Sequence, residues 1–229
     1  MDIEENAGTQ TLSDRVFEQI QEAIVSGEIP QGEKVSESGI GQRYGVSRGP
    51  LREAIRRLEG RKLLVRIPHS GVRVVTLTHE ELIEIYQIRE SLEALACELA
   101  AENMSDNEIE ELGALLQQHQ DYIHAHGGKR YYQQEGDWDF HYRIIHASGN
   151  KRLIDLLCGE LYQLIRMYRN KGSQSTSRPL KAFEEHQQIF NALKQRDGEL
   201  AGILMGRHIR ASRRNIQDQI AEQINDQQK

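Results

Sequence analysis

Gly45-Val-Ser-Arg-Gly-Pro-Leu-Arg-Glu-Ala-Ile-Arg-Arg-Leu-Glu59 is the stretch on which the fold turns. Gly45-Val46-Ser47 breaks the chain, and Ser47 is placed to cap a helix that runs through Leu58. Pro50 falls in the first turn of that helix, where its missing N–H costs nothing. Arg48 and Arg52 are four residues apart and share one helical face. Ser47 and Gly49 sit at the same end, which is where a recognition helix meets base edges. An arginine there can form a bidentate pair with guanine, contributing about 1–3 kcal/mol of discrimination. Gly49 has no side chain, so backbone and bases could approach closely. For Arg48 taken alone, the ordinary alternative is a surface arginine.

Upstream, Val16, Ile20, Ala23 and Ile24 recur at helical spacing between Thr11 and Ser26, with Ser13 placed to cap. Gly27 stops that helix, and Pro30-Gln31-Gly32 turns the chain. A short helix is expected from Ser36 to Tyr44. Downstream, Leu64 to Ile67 and Val72 to Thr76 read as two extended stretches, turned by Pro68-His69-Ser70-Gly71. Helix, helix, turn, helix and hairpin is the order of a winged helix-turn-helix. His69 and Gly71 fall at the hairpin tip, placed to enter a minor groove. Between Arg43 and Arg73 there are nine Lys/Arg against two acids, although the whole chain carries −6. A local positive field of that kind suits a phosphate backbone; a solvated basic face is the bland alternative.

After Thr78 the texture changes. Glu80 to Ala101 reads as a long amphipathic helix with Leu82, Ile85, Ile88, Leu92, Leu95, Ala96 and Leu99 on its apolar side and Thr78 as cap. Further helical patterns cover about 105–124, 129–148, 150–170, 179–195 and 197–222, with a Gln-rich end fraying from Gln217. The fold class expected is mainly α: an N-terminal winged helix-turn-helix (11–77) followed by an all-α bundle (78–222), with tails at 1–10 and 223–229. No apolar run is long enough to span a bilayer, the start lacks a secretory signal, and Cys97 and Cys158 match no disulfide or metal spacing. The expected compartment is the cytoplasm.

Eight of nine histidines follow Ser70. His119, His124 and His126 sit among polar residues and read as surface. Asp137 and His141 are spaced i, i+4 on one face. His186 and His208 each have apolar neighbours at helical positions, so both should face the bundle interior. A carboxylate and three imidazoles could together hold Zn²⁺, Ni²⁺ or a similar ion, leaving positions for water or a ligand oxygen. Taken singly, each histidine could equally be a hydrogen-bonded core residue. Arg89, on an otherwise apolar helix, could pair with the carboxylate of an effector or with Glu93.

Two resemblances sharpen these readings. Ile24-Val-Ser-Gly-Glu-Ile-Pro-Gln-Gly32, the Gly45–Glu59 stretch and Pro68-His-Ser-Gly-Val-Arg-Val74 resemble the DNA-binding domain of the GntR family over about residues 12–76. The resemblance implies that Ser38, Ser47, Arg48, Gly49 and Arg52 reach the operator and that His69 and Gly71 reach the minor groove. Departures are Ser38-Gly39-Ile40 in the second helix, Gly at 49 where Thr is common, and Lys62 where Gly is common. Gly39 and Gly41 should each weaken the second helix by about 1 kcal/mol relative to Ala. Arg89-x-x-x-Glu93, Asp137-x-x-Phe140-His141, Ser148-Gly149-Asn150, Glu185-His186 with Asp197, and His208 are similar to the FCD ligand-binding domain of the FadR subfamily, over about 80–222. That similarity implies a divalent metal, zinc or nickel among others, on Asp137, His141, His186 and His208, with a small organic acid beside it.

The function expected is that of a non-enzymatic homodimeric regulator, binding a pseudo-palindromic operator in double-stranded DNA under the control of that acid. Two rival classes stay open: a metal-responsive regulator in which the ion is the signal, and a metal-dependent hydrolase. No positioned base or nucleophile stands out for the hydrolase.

Overall fold

A computed structural model describes residues 11–125, 140–172 and 179–227. The expected tail at 1–10 lies outside these residues, as do His126, Asp137 and most of the helix expected from 129. The described residues form two compact units that divide between Leu77 and Thr78, with Gln163–Lys171 joining the first.

In the first unit, α1 (Leu12–Val25) starts at Thr11 rather than at Ser13. The Thr11 hydroxyl accepts from the Asp14 N–H, and the Asp14 carboxylate accepts from the Thr11 N–H, both at 3.1 Å. This reciprocal box needs an acid three residues after the cap, which Ser13 does not have. Val16, Phe17, Ile20, Ala23 and Ile24 are buried on α1, which packs on α3 through Leu51, Ala54, Ile55 and Leu58. Between them come β1 (Lys34–Val35) and α2 (Glu37–Tyr44). The helix α3 covers Arg48–Gly60; Ser47 precedes it in extended geometry but makes no side-chain cap bond.

Gly45 closes α2 in left-handed geometry (φ 65°). Gly41, expected to weaken α2, has a packing reason. A Cβ there would lie 3.2 Å from the Val46 carbonyl oxygen, and the Val46 N–H donates to the Gly41 carbonyl at 3.0 Å. A side chain at 41 would therefore crowd the tight turn between α2 and α3.

The sheet has three strands rather than the two expected, in the order β1-β3-β2, all antiparallel. β2 (Leu64–Ile67) and β3 (Gly71–Val74) form the hairpin, and Ile67 pairs with Gly71. β1 is only two residues long, too short for an alternation to be read. Lys62 and His69 adopt φ of 60°. Lys62 thus occupies the left-handed position that a glycine fills without strain.

After Thr78 the described residues are helical: α4 (His79–Asn103), α5 (Asp106–Ala125), α6 (Phe140–Ala147), α7 (Lys151–Leu156), a π-helical turn (Leu157–Leu161), α8 (Tyr162–Gly172), α9 (Pro179–Lys194) and α10 (Gly198–Gln227), all in the second unit except Gln163–Lys171 of α8. Thr78 and Glu81 form a second capping box. The inner face of α4 is not the stripe expected. Leu82, Ile85, Tyr86, Arg89, Glu93, Ala96, Cys97 and Ala100 are buried, while Ile88 and Leu95 are exposed. A buried ion pair shares the inside with the apolar residues, so hydropathy alone misplaces the face.

Past Gln217, where fraying was expected, α10 is helical as far as Gln227; beyond Gly206 the chain has no glycine or proline to stop it. Gly198, Gly202 and Gly206, four residues apart, line the side of α10 against α4. A Cβ on Gly202 would lie 2.8 Å from Glu98 Oε1 and 3.1 Å from the Ala94 carbonyl; one on Gly198 would lie 3.0 Å from the Glu98 carbonyl. These glycines let α10 approach α4 closely.

Candidate metal centre and DNA-reading face

Three helices each deliver one histidine to the interior of the second unit: His141 from α6, His186 from α9 and His208 from α10. All three are buried. The His186 Nε2 atom lies 3.1 Å from His141 Nε2 and 3.2 Å from His208 Nε2. Phe140 stacks on the His186 ring, centroids 4.3 Å apart and planes 19° from parallel.

The outer nitrogens are held by carboxylates. Glu93 Oε2 is 2.6 Å from His141 Nδ1, and Glu185 Oε2 is 2.7 Å from His208 Nδ1. Burial alone would raise the Glu93 carboxyl, but the charge of Arg89, that of His141 when it is protonated, and the hydrogen bonds from both outweigh it and bring the group down to about 2. An ionised carboxylate can only accept, so the His141 Nδ1–H donates to Glu93. In the neutral ring, that leaves the Nε2 lone pair turned toward the other two histidines.

This donor set fits a divalent ion. Two nitrogens about 2.0–2.1 Å from one ion, at roughly 90–110° to each other, lie roughly 2.8–3.4 Å apart. The two closest separations fall inside that range, and the candidate ligand atoms all lie within 4.8 Å of one another. A shared core hydrogen bond explains the triangle less well: one His186 Nε2–H can point at one neighbouring lone pair, not at two. Three of the ligands expected in the sequence reading thus lie together. Its fourth ligand, Asp137, lies outside the described residues.

Arg89 is buried, and its Nε donates to Glu93 Oε1 at 2.6 Å, so the pairing weighed against an effector role is present. Its guanidinium lies over the Tyr86 ring, 4.9 Å from the centroid. Its Nη1 is buried without a hydrogen-bond partner among the described residues. One donor is therefore committed and another is unpaired.

Sequence reasoning missed three things here. Glu93 entered only as Arg89's partner and Glu185 only as a neighbour of His186. His119 was read as surface but is buried on α5. Its place in the series Leu112, Leu116, His119, Ile123 was the available signal, masked by the glutamines around it.

The residues expected to face DNA lie at the surface of the first unit. Ser47, Arg48, Gly49 and Arg52 are exposed at the start of α3. Arg48 makes no ion pair or hydrogen bond among the described residues. Arg52 Nε contacts Glu37 Oε2 at 3.0 Å while its side chain stays 66% exposed. Ser38 is exposed, its hydroxyl 2.9 Å from that of Ser36, which caps α2. His69 is exposed in the β2–β3 turn, and Gly71 (φ 93°) opens β3.

The nine cations counted across this region are not all available. Arg57 pairs with Asp14 at 2.6 Å and lies over the Phe17 ring, as does Arg61; Arg73 donates to the Gly32 carbonyl at 2.8 Å. Those three hold the fold, and of them only the pairing of Arg57 with Asp14 offsets charge.

The chain matches two family models, "Bacterial regulatory proteins, gntR family" over residues 12–74 and "FCD domain" over 84–211. It is 30% identical to the "Uncharacterized HTH-type transcriptional regulator YdhC" of Bacillus subtilis, over 81% of this chain and 82% of that one. It is 32% identical to the "Probable D-xylose utilization operon transcriptional repressor" of Paenarthrobacter nicotinovorans, over 88% and 87%. Its fold is similar to that of E. coli McbR/YncC, with a TM-score of 0.71 at 22% identity over 93% of this chain and all of the other. No helix among the described residues is long and apolar enough to cross a membrane. An exposed arginine-bearing helix followed by a wing, and beyond it an FCD domain, make this chain a member of the GntR family of bacterial transcriptional regulators.

Proposed function

We propose that this regulator binds a pseudo-palindromic operator as a homodimer, and that a small carboxylate, held beside a divalent ion in the helical unit, sets its affinity for DNA. The observation that carries the reading is the buried convergence of His141, His186 and His208, with an open Arg89 donor nearby. Such an ion would supply positions open to a carboxylate oxygen. His141, His186 and His208 would hold it, joined by Asp137. Arg89 would orient the acid through Nη1 while Glu93 keeps its charge balanced. On the DNA, Arg48 and Arg52 would read base edges, Ser38, Ser47 and Gly49 would fit the backbone and groove beside them, and His69 and Gly71 would follow the minor groove. Control requires that the acid bind the DNA-bound and DNA-free arrangements with different affinity.

The test uses full-length protein purified without chelator. Metal analysis should find about one ion per chain, and His186→Ala and His208→Ala should each lose it and lower the thermal midpoint. Gel-shift titration of the metal-loaded protein with a panel of small carboxylates should shift operator affinity. If operator affinity instead follows added Zn²⁺ or Ni²⁺ with no acid present, the ion is the signal. If metal analysis stays empty, the site is misassigned.

A further inference from the structure

We infer that Glu93 and Glu185 are positioning residues: each accepts a hydrogen bond from the Nδ1–H of one histidine and so holds His141 and His208 in the tautomer whose Nε2 lone pair faces the buried triangle. The inference rests on the metal-site reading for its purpose, but not for its test, because the tautomers exist without any ion.

Geometry carries it. A neutral imidazole has one N–H and one lone pair, and which nitrogen holds the proton follows from the partner of the other. Glu93 Oε2 at 2.6 Å and Glu185 Oε2 at 2.7 Å are both at charge-assisted distances. The two carboxylates approach from different helices, α4 and α9, and grip rings on two others, α6 and α10. Each histidine is thus fixed from outside the triangle as well as by its own backbone. With both protons directed outward, two lone pairs point inward in a buried space, an arrangement that attracts a cation.

The two clamps are built differently. Glu93 is buried, and its second oxygen receives the Arg89 Nε–H at 2.6 Å. Removing it strands a buried guanidinium. Glu185 retains 21% side-chain exposure, so it can be removed with less risk to folding.

The experiment is heteronuclear NMR of full-length, metal-free protein labelled with ¹⁵N at histidine, in the pH range where the ring ¹⁵N shifts themselves show both histidines to be neutral. His141 and His208 should both show the Nδ1–H tautomer. Glu185→Ala should move His208 alone toward a mixture containing Nε2–H, and Glu185→Gln, whose amide oxygen can still accept, should restore most of the original signal. The Zn²⁺ dissociation constant of Glu185→Ala should rise about 10- to 100-fold, with the Gln variant closer to wild type. A merely structural role would not move a tautomer at one ring. Nε2–H at His208 in the wild-type protein would overturn the inference, as would unchanged tautomers and Zn²⁺ affinity in Glu185→Ala. Correct tautomers with no Zn²⁺ binding at all would support the clamps and refute the metal site.

Discussion

The two polar centres of this chain, the start of α3 and the histidine triangle, are made on opposite plans. At α3, Arg48 and Arg52 stand in solvent, and Arg52's pairing with Glu37 is exposed. An exposed pair contributes about 0–1 kcal/mol, so a phosphate or base edge can displace it at little cost. In the bundle, Arg89, Glu93, His141, His186 and His208 are all buried, and the acid grips its partners at 2.6 Å. Breaking a buried pair costs about 3–5 kcal/mol, because the remaining charge has nowhere to go. A surface that must meet a large polyanion keeps its cations available. Groups buried and paired in this way are fixed before anything binds to them.

The largest expected effect breaks the buried side of that contrast. Glu93→Ala should destabilise the full chain by about 3–5 kcal/mol in urea denaturation, since it leaves Arg89 uncompensated. A loss under about 1 kcal/mol would mean that the interior is wetter than its burial implies. The same residue has a pH signature. Glu93's folded value, about 2, lies below its ordinary 4.5. Its contribution is therefore fully present above about pH 4.5 and is lost as the pH falls toward 2. Metal-free wild type should lose stability across that window, and Glu93→Gln should flatten the loss.

How legible each centre was in the sequence follows from the same contrast. The α3 face is local: Ser47, Arg48, Gly49 and Arg52 lie within one and a half turns, so spacing alone puts them together. The triangle is assembled from three helices: His141 entered through its spacing from Asp137, His186 and His208 through their apolar neighbours, and the set through resemblance. What stayed hidden depends on tertiary partners. Nothing local says that Glu185 reaches His208, or that Arg57 and Arg61 turn back onto Phe17 instead of facing DNA. The inner face of α4 was misread because Arg89 and Glu93 count as polar in any hydropathy pattern, yet each neutralises the other inside.

Arg48→Ala should break the exposed side without touching the buried one. Specific operator affinity should fall by about 10- to 100-fold, the equivalent of roughly 1–3 kcal/mol, with urea stability unchanged. An unchanged footprint would remove Arg48 from the reading face. Gly202→Ala probes what holds the buried side in register, and its sign is the informative part. Helix propensity alone would favour alanine by about 1 kcal/mol. The crowding of a Cβ against Glu98 and the Ala94 carbonyl opposes it with about 1–3 kcal/mol. Net destabilisation of up to about 2 kcal/mol, with weakened Zn²⁺ binding, is expected; stabilisation would mean that α4 and α10 are farther apart than described.

The smallest effect sharpens the contrast from the exposed side. Lys62 follows α3 at φ 60°, where a side chain crowds its own carbonyl. That strain is about 1–2 kcal/mol, and glycine returns part of the gain through its greater freedom in the unfolded chain. Lys62→Gly should therefore stabilise the first unit by about 0.5–1 kcal/mol in urea denaturation. Lys62 is exposed, so the substitution also removes a positive charge that DNA could use. If that charge touches a phosphate, the salt dependence of operator binding should become shallower by about one counterion while sequence preference stays the same. A stability gain without a change in salt slope would assign Lys62 a purely conformational part. No gain at all would mean that the left-handed geometry at 62 is relaxed by its surroundings.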